Sequence, residues 1–533
     1  LHLYEVRGLD FVHDIEGDYA IAIWDADREQ LVLARDRAGV KPLYFCHQNG
    51  RFIFASEIKA ILQHPSVTPE MNEEALYHYL TFVTTPAPQT LFKNIGKLPA
   101  GHMLTIDRRG EVRITKYWDA LPSSIFSQRL SDADHEKKIL SLLRDSIKKR
   151  MMADVPFGVF LSGGVDSSAN VALMSELMSQ PVRTFTVGFK DCEELNELDS
   201  ARAISKRFAT DHHEVMIGRE EMQKFLPELV FHQDEPIADP VCVPLYYVSK
   251  LARDTGTIVV QVGEGSDELF AGYDWFRTYL QIEDRFWRHA ERAPAVARRA
   301  AAAVAQPFVK KVLKKRMASE LVRRLGANES LFWGGAIVFD ETMKARLLSS
   351  ESRARYAGLS TYDVVREYQE SFASASPDAD AAARMTYLEL KLRLPELLLM
   401  RVDKITMATS VEARVPFLDH HLIEYAMNLP RELKVKGKTG KHILKRALES
   451  VLPRDVLYQP KRGFGAPVRE WFRGKEGEDL IARILNSRLR ERKLFDYKFI
   501  ELLADDHKRG KRDRSAELWC LLNLTVWYDH WIG

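Results

Sequence analysis

The sequence has too few cysteines for a disulfide framework and none at zinc-site spacing. Cys46, Cys192, Cys242 and Cys520 are the only four in 533 residues and form no CxxC pair, a spacing that points to incidental thiols in a reducing compartment. No apolar run reaches the length that crosses a membrane. The greasiest stretch, Leu392 to Met400, is short and contains Arg393, Pro395 and Glu396. Charge of one sign is lacking too: 77 basic residues nearly cancel 75 acidic ones, leaving +2, so no nucleic-acid partner is expected. There is no secretory signal pattern. The chain, however, starts at Leu1, without a methionine and in mid-pattern, so a natural N-terminus upstream is expected and the missing signal excludes little. With 46% hydrophobic and 10% aromatic residues the composition is that of a globular protein. A cytoplasmic protein without a membrane span is the expectation. At 533 residues it exceeds one core, which predicts two or more domains.

What is present changes character along the chain. Asp18 to Asp25, Gln30 to Ala34, Pro42 to Cys46 and Phe52 to Ala55 alternate like strands, with turn residues such as Asp36, Gly39, Asn49 and Gly50 between them. A helix over Glu73 to Leu80 and a strand pair around Gly101 to Ile114 complete an antiparallel region, and Leu121-Pro122 looks like a linker. From Asp134 strands and helices alternate: helix to Met151, strand Val155 to Leu161, helix Ser168 to Met178, strand Arg183 to Val187, helix Leu198 to Phe208, strands His213 to Met216 and Ile258 to Val262. Such alternation implies right-handed crossovers and a mostly parallel sheet. After residue 275 the patterns are almost entirely helical. The stretch Arg285 to Arg324 carries twelve basic residues and reads as the solvated basic face of a helical subdomain. Ser374 to Ala383 reads as a polar, small-residue loop.

The strongest chemical signal is Ser162-Gly163-Gly164-Val165-Asp166-Ser167-Ser168, between a strand and a helix. Two glycines let the chain turn sharply and bring backbone N–H groups close to an anion. The helix N-terminus and three serine hydroxyls add donors. An acid inside a phosphate loop makes sense when a cation joins it, so Asp166 reads as a Mg2+ ligand. A Walker A loop would need GxxxxGK[ST], which the chain lacks. A second cluster, Gly263-Glu264-Gly265-Ser266-Asp267-Glu268 followed by Leu269-Phe270-Ala271-Gly272-Tyr273, ends the strand at Val262.

The first loop resembles the SGGxDS signature of the ATP pyrophosphatase superfamily, whose members cleave ATP between the α- and β-phosphates. The second resembles the SGEGSDExFxGY motif of the glutamine-hydrolysing asparagine synthetase family, with Val262 in place of its first serine. Asp234-Glu235-Pro236 with Asp239-Pro240, Val411 to Asp419 (containing Arg414), Lys441 to Leu444 and Gln459 to Phe464 are similar to further blocks of that family. So are Glu16 to Asp25, Ala34 to Asp36, Lys41 to Tyr44, Ala55 to Ala60 and Leu98 to His102, which resemble the later part of its glutaminase domain.

The resemblance implies an α/β fold. Residues 119–533 would be a parallel-sheet synthetase domain of the ATP pyrophosphatase (adenine nucleotide α-hydrolase-like) type. Residues 1–118 would be a partial αββα Ntn-hydrolase, the type-2 glutamine amidotransferase domain without its N-terminal catalytic part. The family's catalytic N-terminal cysteine and glutamine-holding residues lie upstream of the position matching Leu1, so no glutaminase residue is assigned. By the same resemblance Leu161, Val187, Val262 and Gly263 frame the adenosine and Ser162, Gly163, Gly164, Asp166 and Ser167 hold the phosphates. Asp166 and Asp267 bind Mg2+, Glu264 forms and consumes an acyl-adenylate, and Lys461 neutralises phosphate charge. The implied reaction is aspartate, ATP and ammonia from glutamine giving asparagine, AMP and pyrophosphate through β-aspartyl-AMP, and a homodimer is admitted. Two other readings stand beside it. One is a relative that amidates another carboxylate, such as a uronic acid in polysaccharide assembly. The other is an inactive scaffold or binding protein, against which Asp166, Glu264, Asp267 and Lys461 all speak. A β-lactam-forming relative would carry tyrosine at Glu264. Some asparagine synthetases place a substrate-binding arginine near Ala238 to Pro244, where this chain has none.

Overall fold

The computed structural model describes residues 1–122, 130–309, 316–460, 463 and 465–533. The N-terminal region holds seven strands: β1 (Ala20–Asp25), β2 (Gln30–Arg35), β3 (Tyr44–Gln48), β4 (Arg51–Ala55), β5 (Ile95–Lys97), β6 (His102–Ile106) and β7 (Val112–Lys116). They form two antiparallel sheets, ordered β1-β2-β6-β7 and β4-β3-β5. The turn signals read from the sequence sit at the hairpins, where Asn49 (φ 54°) and Gly50 (φ 68°) supply the positive φ that a two-residue turn needs. Helix Glu73–Phe82 is longer at its C-terminus than its pattern predicts, because Val83 at φ 58° closes it with a bond to the Tyr79 carbonyl.

The third sheet is parallel throughout. Its strands are β8 (Phe157–Phe160), β9 (Arg183–Phe189), β10 (Asp211–Ile217), β11 (Val259–Gln261) and β12 (Glu412–Arg414), ordered β10-β9-β8-β11-β12. β12 lies inside a block read from sequence without an element, since three residues carry no readable period. The helix predicted from Ser168 starts at Val165, because extended Gly164 (ψ 165°) releases the chain straight into the first turn. The helix predicted from Asp134 starts at Asp132, where Ser131 and Asp134 form a reciprocal cap.

Two later expectations need correction. Ser374 to Ala383 is a loop only over residues 376–380: Asp380 caps a new helix, Ala381–Leu388, whose first three alanines are buried. The basic run from Arg285 to Arg324 is no uniform solvated face. Trp287 and Arg324 are buried, and Arg324 bonds Glu320 and the Leu331 carbonyl, whereas Phe286, Val296 and Phe308 are exposed. No described helix is long and apolar enough to cross a membrane.

One apolar core runs through both regions, including Leu76, Tyr79 and Leu80 of the N-terminal helix with Val159, Phe185 and Val260 of the parallel sheet. Buried ion pairs reinforce the junction. Lys97 Nζ lies 2.8 Å from Glu235 and 3.0 Å from Glu396. Lys404 meets Asp234 at 2.5 Å, and the part-buried Lys41 meets Asp403 at 2.8 Å. These partners fix helix Met400–Met407 between the N-terminal sheets and the parallel sheet. Removing one member of such a buried pair typically costs 3–5 kcal/mol, roughly, so the helix is held firmly.

Candidate active site

In an open parallel sheet a ligand binds beyond the C-terminal ends of the strands, where the strand order reverses. Here the chain builds β8, β9 and β10 in one direction and then places β11 on the other side of β8. The reversal falls between β8 and β11, the two strands that run into the Ser162 loop and the Gly263 loop. Topology and motif therefore select the same crevice independently.

The first loop is shaped by Gly163. Its φ is +75°, and a Cβ there would stand 2.5 Å from the Ser200 Cβ, so only glycine fits. Ser162 and Ser167 hydroxyls lie 3.1 Å apart, and the Gly164 N–H donates to Ser162 Oγ at 3.3 Å. The helix then begins at Val165, which leaves its first-turn N–H groups without partners in the helix. A turn that opens a thirteen-residue helix with hydroxyls alongside has the donor groups from which a phosphate cradle can be built. Gly263 lets the second loop come close: a Cβ there would lie 2.7 Å from the Asp166 Cβ. Leu161, Val187 and Val262 are all buried around this junction. The Val262 N–H bonds the Arg414 carbonyl at 3.0 Å, and its own carbonyl accepts from Asn170 at 3.2 Å.

Two acids from the two loops converge on one cation. Lys441 Nζ lies 2.6 and 2.7 Å from the Asp166 oxygens and 2.8 Å from Asp267 Oδ1, and Ser266 Oγ donates to Asp166 at 2.7 Å. Lys441 sits in left-handed backbone (φ 54°) with its N–H on the Phe270 carbonyl at 3.0 Å, which carries the side chain into the crevice. Burial alone would lower the Lys441 pKa, but the two carboxylates override it and hold the ammonium above its ordinary range. A pair of carboxylates that gathers a cation is the donor set a divalent metal ion uses, so Asp166 and Asp267 fit Mg2+. Sequence reading gave both acids a role but named Lys441, 275 residues from Asp166, only as part of a family block with no role assigned.

A second charged group adjoins the first. Glu264 Oε1 accepts from Arg401 Nη2 at 2.5 Å, and Asp239 Oδ2 accepts from Arg401 Nη1 at 2.5 Å. Burial pushes the Glu264 carboxyl above its usual value against the opposing pull of Arg401. The segment Ala238 to Pro244 carries no arginine of its own, but Arg401 of helix Met400–Met407 reaches it through Asp239. Nothing local in the sequence marks Arg401 for this place. Lys461 lies outside the described residues. Gln459, two positions earlier, donates to the Gly163 carbonyl at 2.9 Å, so the segment leading to it reaches the loop.

Comparison with known proteins finds matches over both regions of the chain. A family model for asparagine synthase matches residues 138–529, and one for a glutamine amidotransferase domain matches residues 1–118. The chain is 32% identical to asparagine synthetase (glutamine-hydrolyzing) 1 of Bacillus subtilis, over 97% of this chain and 78% of that one. It is 29% identical to asparagine synthetase (glutamine-hydrolyzing) 3 of the same organism, over 86% and 69%. It is also 28% identical to amidase chyE of Penicillium rubens, over 88% and 72%.

Proposed function

The chain belongs to the asparagine synthase family, and from that premise we propose that it activates the side-chain carboxylate of aspartate with ATP and converts it to the amide. In this reading residues 1–118 are the glutamine amidotransferase part and residues 119–533 the synthetase domain. The observation that carries the proposal is the adjacency of two charged groups beside one phosphate cradle: Asp166–Lys441–Asp267 and Glu264–Arg401–Asp239.

The chemistry follows from the weakness of carboxylate as an electrophile. An acceptor carboxylate oxygen attacks the α-phosphorus of ATP, a P–O bond to the β-phosphate breaks, and pyrophosphate leaves. Ser162, Gly163, Gly164, Asp166 and Ser167 would hold the phosphates, with loop N–H and hydroxyl groups as the donors. Leu161, Val187, Val262 and Gly263 would frame the adenosine with backbone and apolar surface. Mg2+, when held by Asp166 and Asp267, would supply positive charge to the departing pyrophosphate. Lys441 and Lys461 would balance the remaining charge, an electrostatic role that works best in a crevice closed to water. Ammonia, released from glutamine, then attacks the acyl carbon, a C–N bond forms, the C–O bond to AMP breaks, and nitrogen loses a proton. Glu264, one residue beyond Gly263 and raised by burial, is the proton acceptor in this account.

The test is release of pyrophosphate from ATP across a panel of amino acids and uronic acids, with ammonium as the nitrogen source. Aspartate-dependent release of AMP and pyrophosphate supports the reading. Release that depends on a uronic acid instead would assign the chain to a different acceptor.

A further inference from the structure

Helix Ala295–Phe308 is 14 residues long and buries none of them. One side of it is nevertheless occupied by helix Arg316–Ala327. A Cβ at Gly326 of that helix would stand 2.5 Å from the Ala302 Cβ, and Gln306 Nε2 donates to Ser319 Oγ at 3.0 Å. Val296, Ala300, Val304 and Phe308 recur every four residues and so share the opposite face. All four are exposed, Val296 at 80%, Val304 at 81% and Phe308 at 61%. A helix on a solvated surface ordinarily presents a polar outer face, and this one is apolar from end to end.

The surroundings of that face are basic. Residues 285–309 contain five arginines and one acid, Glu291, which accepts the Trp287 ring N–H at 2.6 Å. Arg288 pairs with Asp284 at 3.2 Å. Arg285, Arg292 and Arg299 are exposed and make no ion pair among the described residues. Phe286 is 56% exposed, while its neighbour Trp287 is buried. A second copy of the chain is a poor occupant. The face is a strip about 21 Å long and about 10 Å wide, roughly 200 Å², against about 800 Å² per partner in a stable interface. A symmetric contact would also bring the unpaired arginines toward their own copies. A nucleic acid would engage the arginines and leave the apolar face in water. An anionic bilayer surface meets both, since its headgroups attract arginine and its acyl boundary accepts the apolar strip.

We propose that helix Ala295–Phe308 is a docking surface for an anionic phospholipid bilayer. The helix lies in the plane of the headgroups, Val296, Val304 and Phe308 enter the acyl boundary, and Arg285, Arg292 and Arg299 meet lipid phosphates. The attachment is superficial and reversible, because the apolar strip is short and no described helix is long and apolar enough to cross a membrane. None of these side chains belongs to the crevice between the Ser162 and Gly263 loops. The surface therefore sets where the chain works and leaves its chemistry unchanged, whichever carboxylate it activates.

The experiment floats the whole 533-residue chain with vesicles of phosphatidylcholine alone or with about 30% phosphatidylglycerol, at about 0.1 M salt. The chain should bind the phosphatidylglycerol vesicles at least about tenfold more tightly than the neutral ones, and about 0.5 M salt should weaken that binding by about tenfold. The triple variant V296S, V304S and F308S should lose at least about tenfold in vesicle affinity, with ATP-dependent pyrophosphate release within about twofold of wild type. The triple variant R285Q, R292Q and R299Q should lose about 10²-fold on phosphatidylglycerol and bind both vesicles alike. Absence of flotation at about 1 mM lipid, equal wild-type binding to both vesicles, or full affinity in the serine variant overturns the proposal. A concentration-dependent dimer that V304D abolishes, without vesicle binding, gives the face to a second copy instead. Salt-sensitive binding to an oligonucleotide, without vesicle binding, gives the arginines to nucleic acid and also overturns it. If the serine variant does not fold, the wild-type comparison of the two vesicles and the arginine variant decide the matter.

Discussion

Replacing Glu264 by glutamine removes one negative charge and almost no volume. In the protein as it stands a single Glu264 oxygen takes the 2.5 Å bond from Arg401 Nη2. The amide oxygen of the substitute can keep that bond, and Arg401 keeps Asp239 at 2.5 Å. Arg401 is thus never stripped of its partners, and the stability cost should stay at about 1–3 kcal/mol, the range for weakening a charged hydrogen bond. The chemical cost is larger. If Glu264 accepts the proton that the attacking ammonia loses, amide formation should fall by about 10²-fold or more, the usual scale for one general base. That factor corresponds to about 2.7 kcal/mol of barrier. ATP binding should hold within about threefold, because no nucleotide contact is assigned to this side chain. The pH profile gives a second readout. Burial raises the Glu264 carboxyl pKa above its ordinary value, so the wild-type rate should climb as pH rises through that raised value and the base ionises. In E264Q that limb should vanish. The assay is ammonium-dependent amide formation against pH, with nucleotide affinity measured alongside. Near-wild-type turnover, or an unchanged pH limb in the variant, would refute the role of Glu264 as base.

Further outcomes follow from the neighbouring residues. Asp166→Ala should cut pyrophosphate formation by about 10²- to 10³-fold, the effect of losing a positioned electrostatic group, while Lys441 retains Asp267 at 2.8 Å and the fold survives. Wild-type pyrophosphate release with an unchanged melting curve would count against the loop assignment. Gly163→Ala forces a Cβ within 2.5 Å of the Ser200 Cβ at φ +75°, so the KM for ATP should rise by about tenfold or more. A KM for ATP equal to wild type would show that the loop does not hold the nucleotide. Lys97→Met should strand Glu235 and Glu396, now 2.8 and 3.0 Å from the ammonium, and lower the unfolding free energy by about 3–5 kcal/mol in a urea titration. A loss below about 1 kcal/mol would mean that the junction does not depend on this pair.

The contiguous parts of the site were legible in the sequence, because their physics is local. Ser162 to Ser168 carries its glycines, hydroxyls and acid within one turn, and the strand before it is a plain apolar run. The parallel sheet was equally legible from alternating periods, apart from the three-residue β12. What stayed hidden is what tertiary packing assembles. Lys441 meets Asp166 across 275 residues and Arg401 meets Glu264 across 137, and neither spacing leaves a local trace. A charge in an amphipathic helix is ordinarily a surface charge. Burial of residues 400–406, with the ion pairs of Asp403 and Lys404 on the same helix, shows that this one runs through the interior. The misread segment Ser374 to Ala383 has a different cause. Asp380 followed by three alanines satisfies a loop composition and a capped helix equally, and burial of the alanines decides for the helix.

The central claim is an acyl-adenylate, and oxygen tracing tests it directly. If aspartate attacks the α-phosphorus, one side-chain carboxylate oxygen becomes the bridge to AMP, and ammonia then expels AMP carrying that oxygen. Aspartate labelled with 18O in its side-chain carboxylate should therefore yield AMP with a single 18O on phosphorus and unlabelled pyrophosphate. Unlabelled AMP, or label appearing in inorganic phosphate beside ADP, would contradict the account.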